Sequence, residues 1–375
     1  MNKLIYITSL SFPARFANQI QVIAMAHTFS RLLGSRFLFV CSGTENEDLR
    51  EIPHQLVKDN FFKRLFLSSI YYYFFWMPFF LISKKVKNHE TVLYFKDTRL
   101  AAFAIFWKRL FLIDIKIFIE AHIPFPRDIT IERYTFSKVD HVVTITRSMV
   151  EILKNQYDVL PEKISLLPDG INLEKFDLKI SCEEARKITN LPLDKKIVLY
   201  SGSIGYYKWK GEDVFIESAR FLDDSFLFVV VGGDSIDAER AIEKPLPNNV
   251  FCVGRQPHSQ IPFYLKAADI LILPNKSGYK LSEELTSSLK LFEYMASRVP
   301  IIASDLPSIR EVLNDDNALL IKPNDPKVLA DSIKKIISDD NKARLISNQS
   351  RIDVEKYEWK GRANKILDKL GIRNN

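Results

Sequence analysis

A chain of 375 residues with 47% hydrophobic and 26% charged residues is long for one core and suits two domains of ordinary globular make-up. Its three cysteines, Cys41, Cys182 and Cys252, are too few and too scattered for a disulfide framework or a metal knuckle, and its six histidines are dispersed, so no metal site and no bound cofactor are expected. The net charge of +7 comes without a nucleic-acid recognition motif, so nucleic acid is not an expected partner.

The opening MNKLIYITSLSFPARF has a short apolar run that reads as a first strand, Lys3–Thr8, and not as a signal peptide. A helix over Gln19–Leu33 is expected next, then strands at Phe37–Cys41, Val92–Phe95, Lys116–Ile119, His141–Thr144 and Ile164–Leu167, with helical stretches between them. Such alternation points to a parallel sheet covered on both faces. Residues 61–110 hold nine Lys/Arg against two acids, Glu90 and Asp97. Within them Leu65 to Ile82 is uncharged, with Lys63 and Arg64 on one flank and Lys84, Lys85 and Lys87 on the other. Pro78, two serines and three tyrosines make this run a poor membrane span. It reads either as a buried helix with basic ends or as an aromatic, basic face resting on an anionic membrane surface. Glu120-Ala-His122 follows Lys116–Ile119 and so lies at a carboxyl end of the sheet, where open α/β folds place ligands. A lone histidine there is either structural or a ligand contact.

Leu167-Pro-Asp-Gly-Ile-Asn-Leu-Glu-Lys-Phe176 is turn-rich and closes the first half. The second half repeats the plan, with strands at Ile197–Tyr200, Phe226–Val231, Val250–Val253, Ile270–Leu273, Pro300–Ala303 and Ala318–Ile321. Ser201-Gly-Ser-Ile-Gly-Tyr-Tyr-Lys-Trp-Lys-Gly211 leaves one strand and leads into a helix near Glu212. Its small residues allow close backbone approach to a ligand, and its lysines bring positive charge to the same place. From Leu285 to Asp305 the chain reads as a polar turn, a helix and a short apolar strand. Thr286, Ser287 and Ser288 suit a helix start through their hydroxyls, and open N–H groups there form a phosphate site. Glu293, about two turns into that helix, is too far along to meet a phosphate and suits a diol such as a ribose. The tail Tyr357–Leu370 reads as a helix.

The stretch LTSSLKLFEYMASRVPIIASD resembles the nucleotide-binding motif of family-4 retaining glycosyltransferases, and the likeness extends over nearly the whole chain. The resemblance implies the GT-B fold: α/β, with two Rossmann-like domains facing each other across a cleft. An acceptor-binding domain over 1–178, with the tail 356–375 packing back on it, and a nucleotide-sugar-binding domain over 179–355 are expected. In the family two glutamates bracket the helix start. The second falls on Glu293 and the first on Leu285, with Glu283 and Glu284 close by as candidates for the missing carboxylate and the choice between them, or neither, left open. The family's Lys-Gly pair on the diphosphate matches Lys210-Gly211. Its arginine position falls on Ser203, with Lys208 as the nearest replacement cation. Ser287, Ser288 and Leu289 fall at the helix start against the diphosphate, and Arg255 beside the base. Glu120-Ala-His122 matches a Glu-x-His whose histidine contacts the transferred sugar or the acceptor. Arg15, Asn18, Asp97 and Arg99 are expected along the acceptor side.

The resulting expectation is a metal-independent transferase that moves a sugar, with retention, from a nucleotide-diphosphate sugar to a glycan or lipid-linked acceptor. Lys210 and His122 are its expected catalytic groups. Bacterial surface polysaccharide or lipopolysaccharide synthesis is the implied setting, with the protein cytoplasmic and peripheral on the inner face of the cytoplasmic membrane. The departures at Leu285 and Ser203 keep a second reading open: a non-catalytic sugar-nucleotide-binding protein on the same fold.

Overall fold

The computed structural model describes residues 3–14, 16–57, 76–83, 86, 90–122 and 129–372. Arg15, Lys63, Arg64, Lys84, Lys85, Lys87 and the 65–75 part of the aromatic run lie outside the described residues. The chain divides into two compact units, Met1–Pro168 with Trp359–Asn375, and Asp169–Glu358.

The first unit is built on a seven-stranded parallel sheet. Its strands are β1 (Lys3–Phe12), β2 (Phe37–Gly43), β3 (His54–Leu56), β4 (Thr91–Phe95), β5 (Lys116–Ala121), β6 (His141–Thr144) and β7 (Ile164–Leu166), in the order β3-β2-β1-β4-β5-β6-β7. Central strands such as Leu4–Ile7 and Val92–Phe95 are buried along their whole length, as strands covered by helices on both faces must be. Tyr6 stacks on Tyr94 at 5.1 Å between ring centroids, with Phe29 of the helix Ala17–Leu33 edge-on to both. The strands differ from the expected set by one addition, β3, and at several ends, β1 for instance running on past Thr8 to Phe12. β3 is a three-residue edge strand with no apolar alternation to signal it. β5 runs on through Ala121, so Glu120 sits inside the strand rather than after it.

The second unit carries a six-stranded parallel sheet, β8 (Lys196–Ser201), β9 (Phe226–Val231), β10 (Val250–Gly254), β11 (Ile270–Leu273), β12 (Ile301–Ser304) and β13 (Leu319–Ile321), ordered β10-β9-β8-β11-β12-β13. Alternate residues of β8 divide between its two cores: Ile197 and Leu199 pack with Phe292 and Met295 on one face, and Val198 and Tyr200 with Phe215 and Ile333 on the other. This period of two is what a strand sandwiched between helix layers produces.

The chain passes into the second unit at Pro168/Asp169, earlier than the expected turn at 178. Ile171 and Phe176 are the reason, since both are buried in the second unit's core. Asp177 fixes the segment further: its carboxylate meets Arg298 at 2.7 Å and Arg351 at 3.0 Å. The chain returns at Trp359, whose helix, Trp359–Leu370, buries Ala363, Ile366, Leu367 and Leu370 and packs on Ala17–Leu33 in the first unit.

Candidate active site

In the second unit the candidate residues gather at the carboxyl ends of β8 and β11. Gly202, immediately after β8, has φ +146°. A Cβ there would stand 3.2 Å from Tyr200 Oη and 3.4 Å from Lys290 Nζ. Glycine thus keeps the backbone bare where a phenol and an ammonium converge. The loop continues through a turn at Lys208–Lys210 to Gly211, which has φ +72°. A Cβ on Gly211 would fall 1.8 Å from the Pro274 carbonyl oxygen, so only glycine lets the Lys-Gly pair approach the end of β11 this closely. Lys210 Nζ lies 4.9 Å from the centre of the Tyr207 ring, and burial pushes its proton affinity down. Lys208 is exposed and Ser203 half-buried.

The helix Leu289–Ala296 starts beside this loop. Its first turn has no side-chain cap: Ser288, at the cap position, makes no such hydrogen bond. The expected capping by hydroxyls is therefore corrected. Thr286 Oγ1 donates instead to the Leu281 carbonyl at 2.6 Å, closing the π-turn Leu281–Leu285, and Ser287 Oγ accepts from Asp169 N–H at 3.2 Å. Leu291 N–H donates to the Ser288 carbonyl at 3.0 Å, and with no side chain over the turn the positive end of the helix dipole is left for an anion.

Lys290, in that first turn, is the residue the sequence did not signal. Its Nζ is buried without a hydrogen-bond partner among the described residues and lies 4.1 Å from the centre of the Tyr200 ring. Burial, then Lys210, push its pKa down to about 7, against the opposing pull of Glu212 and Glu293. Tyr200 Oη, Trp209 Nε1, Glu212 Oε2 and Asn275 Oδ1 are likewise buried without a partner among the described residues. Unsatisfied groups of this kind are costly in a folded protein, and here they crowd one strand edge.

Glu293 is buried on the same helix and takes a hydrogen bond from His258 Nε2 at 2.8 Å. Leu285, at the family's first glutamate position, is buried. Glu283 Oε1 accepts from Gly278 N–H at 2.9 Å, whereas Glu284 makes no side-chain hydrogen bond to the described residues. Arg255 donates to Tyr206 Oη and stands over that ring.

In the first unit the candidate residues fall into two groups. Glu120 is the hub of the first. Its Oε1 accepts from Gln21 Nε2 at 2.5 Å, Lys96 Nζ at 3.2 Å and Arg362 Nη2 at 3.1 Å, and Oε2 accepts from Tyr94 Oη at 2.6 Å. His122 Nε2 stands 2.6 Å from Oε1. Burial alone would raise the carboxyl, but Arg362 and Lys96 outweigh it and hold Glu120 well below the usual range. An ionised Glu120 thereby fixes the His122 ring at the carboxyl end of β5. Asp97 forms the second group, accepting from Ser9 N–H at 2.9 Å and Ser9 Oγ at 2.7 Å, which ties the end of β4 to β1. Arg99 is exposed near the start of the helix Thr98–Leu110, and Asn18 accepts from Gln19 N–H in the first turn of its own helix.

Comparison with known proteins agrees with this architecture. Residues 16–175 match the model described as Glycosyltransferase Family 4, and residues 181–353 the one described as Glycosyl transferases group 1. An uncharacterized glycosyltransferase of Methanocaldococcus jannaschii is 26% identical over 242 residues, 62% of this chain and 58% of that protein. A putative teichuronic acid biosynthesis glycosyltransferase, TuaC, of Bacillus subtilis is 32% identical over 167 residues, 44% of this chain and 39% of that protein. The chain thus spans well under two thirds of the length of these curated relatives. Among solved structures, Anabaena Alr3699/HepE in complex with UDP and glucose superimposes with a TM-score of 0.76 at 14% identity, covering 99% of this chain and 100% of that one. A glycosyltransferase from Rickettsia africae gives 0.73 at 16% identity, covering 98% and 97%. With two Rossmann-like parallel sheets and a match to both family models, the chain belongs to the family-4 glycosyltransferases of the GT-B fold.

Proposed function

We propose that this protein is a retaining, metal-independent glycosyltransferase that moves a sugar from a nucleotide-diphosphate sugar to a glycan or lipid-linked acceptor. The observation that carries the reading is the uncapped first turn of Leu289–Ala296 beside Lys210 and the bare backbone of Gly202. A diphosphate is the ligand this arrangement suits: backbone N–H groups and an ammonium offer charge and hydrogen bonds to a leaving group as its negative charge grows. Glu293, held by His258, is assigned to the ribose. In the first unit His122 is assigned to the transferred sugar or the acceptor hydroxyl, with Asn18, Asp97, Arg99 and Arg15 along the acceptor side. No side-chain nucleophile is invoked, and the acceptor attacks from the face the nucleotide leaves. The bound UDP of Anabaena Alr3699/HepE supports a nucleotide donor.

A membrane-bound acceptor is part of the proposal. Among the described residues no helix is long and apolar enough to cross a bilayer. Phe79, Phe106, Leu110 and Leu112 are nonetheless exposed, at 70, 48, 59 and 90%, and Arg109, in the same helix as Phe106 and Leu110, is exposed as well. Apolar side chains beside basic ones suit an anionic membrane surface. Similar proteins include a Campylobacter jejuni transferase whose name specifies a diphospho-undecaprenol acceptor, 27% identical over 233 residues, and WaaG, titled as involved in lipopolysaccharide biosynthesis. Bacterial surface polysaccharide synthesis on the cytoplasmic face is the setting proposed here.

The test is a thermal-shift screen against UDP, GDP, dTDP, ADP and CMP and their common sugars, since a ligand that binds only the folded state raises the midpoint. A shift with one nucleotide identifies the donor class, and the anomeric configuration of the product then decides retention. No shift with any of them, in folded protein, would overturn the donor assignment. The buried Leu285 in place of a glutamate would then favour a protein that does not turn over a nucleotide-sugar.

A further inference from the structure

We propose that Lys290 supplies the second cation on the donor diphosphate, in the role that Ser203 leaves empty. The inference rests on the nucleotide-sugar reading of the second unit and adds to it a residue outside the motif.

Three observations converge on Lys290. Its ammonium is enclosed, yet no carboxylate, carbonyl or hydroxyl of the described residues accepts from it. A buried ammonium without an acceptor is a costly arrangement that a fold retains only where something else offsets it. Next, Nζ lies 3.4 Å from the place where a Cβ of Gly202 would stand, so glycine there leaves the space between the cation and the loop unfilled. Finally, Lys290 occupies the first turn of a helix whose N–H groups lack a side-chain cap. An anion seated over that turn meets the helix dipole, the N–H groups and Nζ together. The Tyr200 ring beneath Nζ, 4.1 Å away, holds the ammonium in place through its π face while the anion is absent.

The groups acting on Lys290 are Lys210, which opposes its charge, Glu212 and Glu293, which favour it, and the neutral Tyr200 phenol. With a pKa of about 7, a large fraction of Lys290 is neutral in the free protein at slightly alkaline pH. Two phosphate charges favour the ammonium strongly, so binding draws one proton from solvent onto Nζ. Affinity for the diphosphate should therefore fall as pH rises above 7.

The experiment is calorimetric titration of UDP, GDP, dTDP and ADP into wild type, Lys290→Met and Lys290→Gln. Each titration is run at pH 7.0 and 8.5 and in two buffers of different ionisation enthalpy. Wild type is expected to take up roughly half a proton or more at pH 8.5 on binding. Lys290→Met should weaken the diphosphate about 10- to 100-fold, the loss expected for a hydrogen bond to a charged group. It should leave the matching nucleoside unaffected and abolish the proton uptake. Its thermal midpoint should be unchanged or higher, because an apolar side chain of similar volume replaces an unpaired buried cation. Wild-type binding without proton uptake, together with binding by both variants within twofold of wild type, would overturn the role of Lys290 and leave the donor reading standing. Failure of wild type to bind any of the four would overturn the donor reading and this inference with it.

Discussion

Arg362 Nη2 donates to Glu120 Oε1 at 3.1 Å, joining the last helix to the carboxyl end of β5 across 242 positions of sequence. The side chains are 4% and 0% exposed, so this is a buried ion pair. It turns the returning tail from a packing element into an electrostatic anchor for the strand that presents His122. Removing one partner from such a pair strands the other's charge and typically costs about 3–5 kcal/mol. Arg362→Met should therefore destabilise the first unit by about that much in urea titrations. Glu120→Gln should recover part of the loss in the double variant, because the buried carboxylate that has lost its largest counter-charge is then neutral. Additive single effects would show that the two are not coupled.

Lys210→Ala should lower turnover about 100- to 1000-fold, the range seen when a group stabilising developing negative charge is removed. Circular dichroism and the thermal midpoint should stay near wild type, since the ammonium rests on the Tyr207 ring and anchors no core packing. Lys208→Ala should have little effect, because Lys208 is exposed to solvent. Equal losses from the two would mean that only the net charge of the loop matters.

The neighbouring glutamates are separated by their hydrogen bonds. Glu283 closes its own turn through Gly278 N–H, and Glu284 makes no comparable local bond. Glu284→Ala is thus expected to raise the donor KM by about tenfold, the loss of one charge-assisted hydrogen bond. Glu283→Ala should act on thermal stability first, within about 1 kcal/mol. If neither changes donor turnover, no substitute for the family's first glutamate exists in this loop.

Apart from β3, the strands of both units were legible because buried parallel strands leave runs such as Ile270–Leu273 that few other elements produce. Lys210-Gly211 was singled out by its match to the family's Lys-Gly pair, in a small-residue, basic loop that follows β8. Lys290 was not: a lysine in an amphipathic helix reads as solvated. Only the folded chain shows Tyr200 beneath it and Gly202 opposite. The Thr286-Ser287-Ser288 run misled in the other direction, since the same hydroxyls that can cap a helix can close a π-turn or reach a distant N–H. Arg362 was silent for the simplest reason: its partner is far away in sequence.

His141 provides a pH test of the first unit. It is 6% exposed on β6, lies against the Phe118 ring, and has Nε2 2.8 Å from Ser165 Oγ. Burial, then the charge of Lys369, push its pKa down from 6.5 to about 4. With the folded value depressed, the unfolded chain binds more protons between those two pH values. The contribution of neutral His141 is then full above pH 6.5 and is lost as pH falls toward 4. A shift of this size corresponds to a loss on the order of 3 kcal/mol across the window. Urea midpoints of wild type and His141→Gln, compared at pH 7.5 and pH 4.5, isolate the term, because carboxylates elsewhere titrate equally in both proteins. Wild type should lose about 2–3 kcal/mol more than the variant between the two conditions. Parallel losses would place the proton on His141 in the folded state, with Ser165 accepting from it, and would remove this residue from the acid sensitivity of the unit.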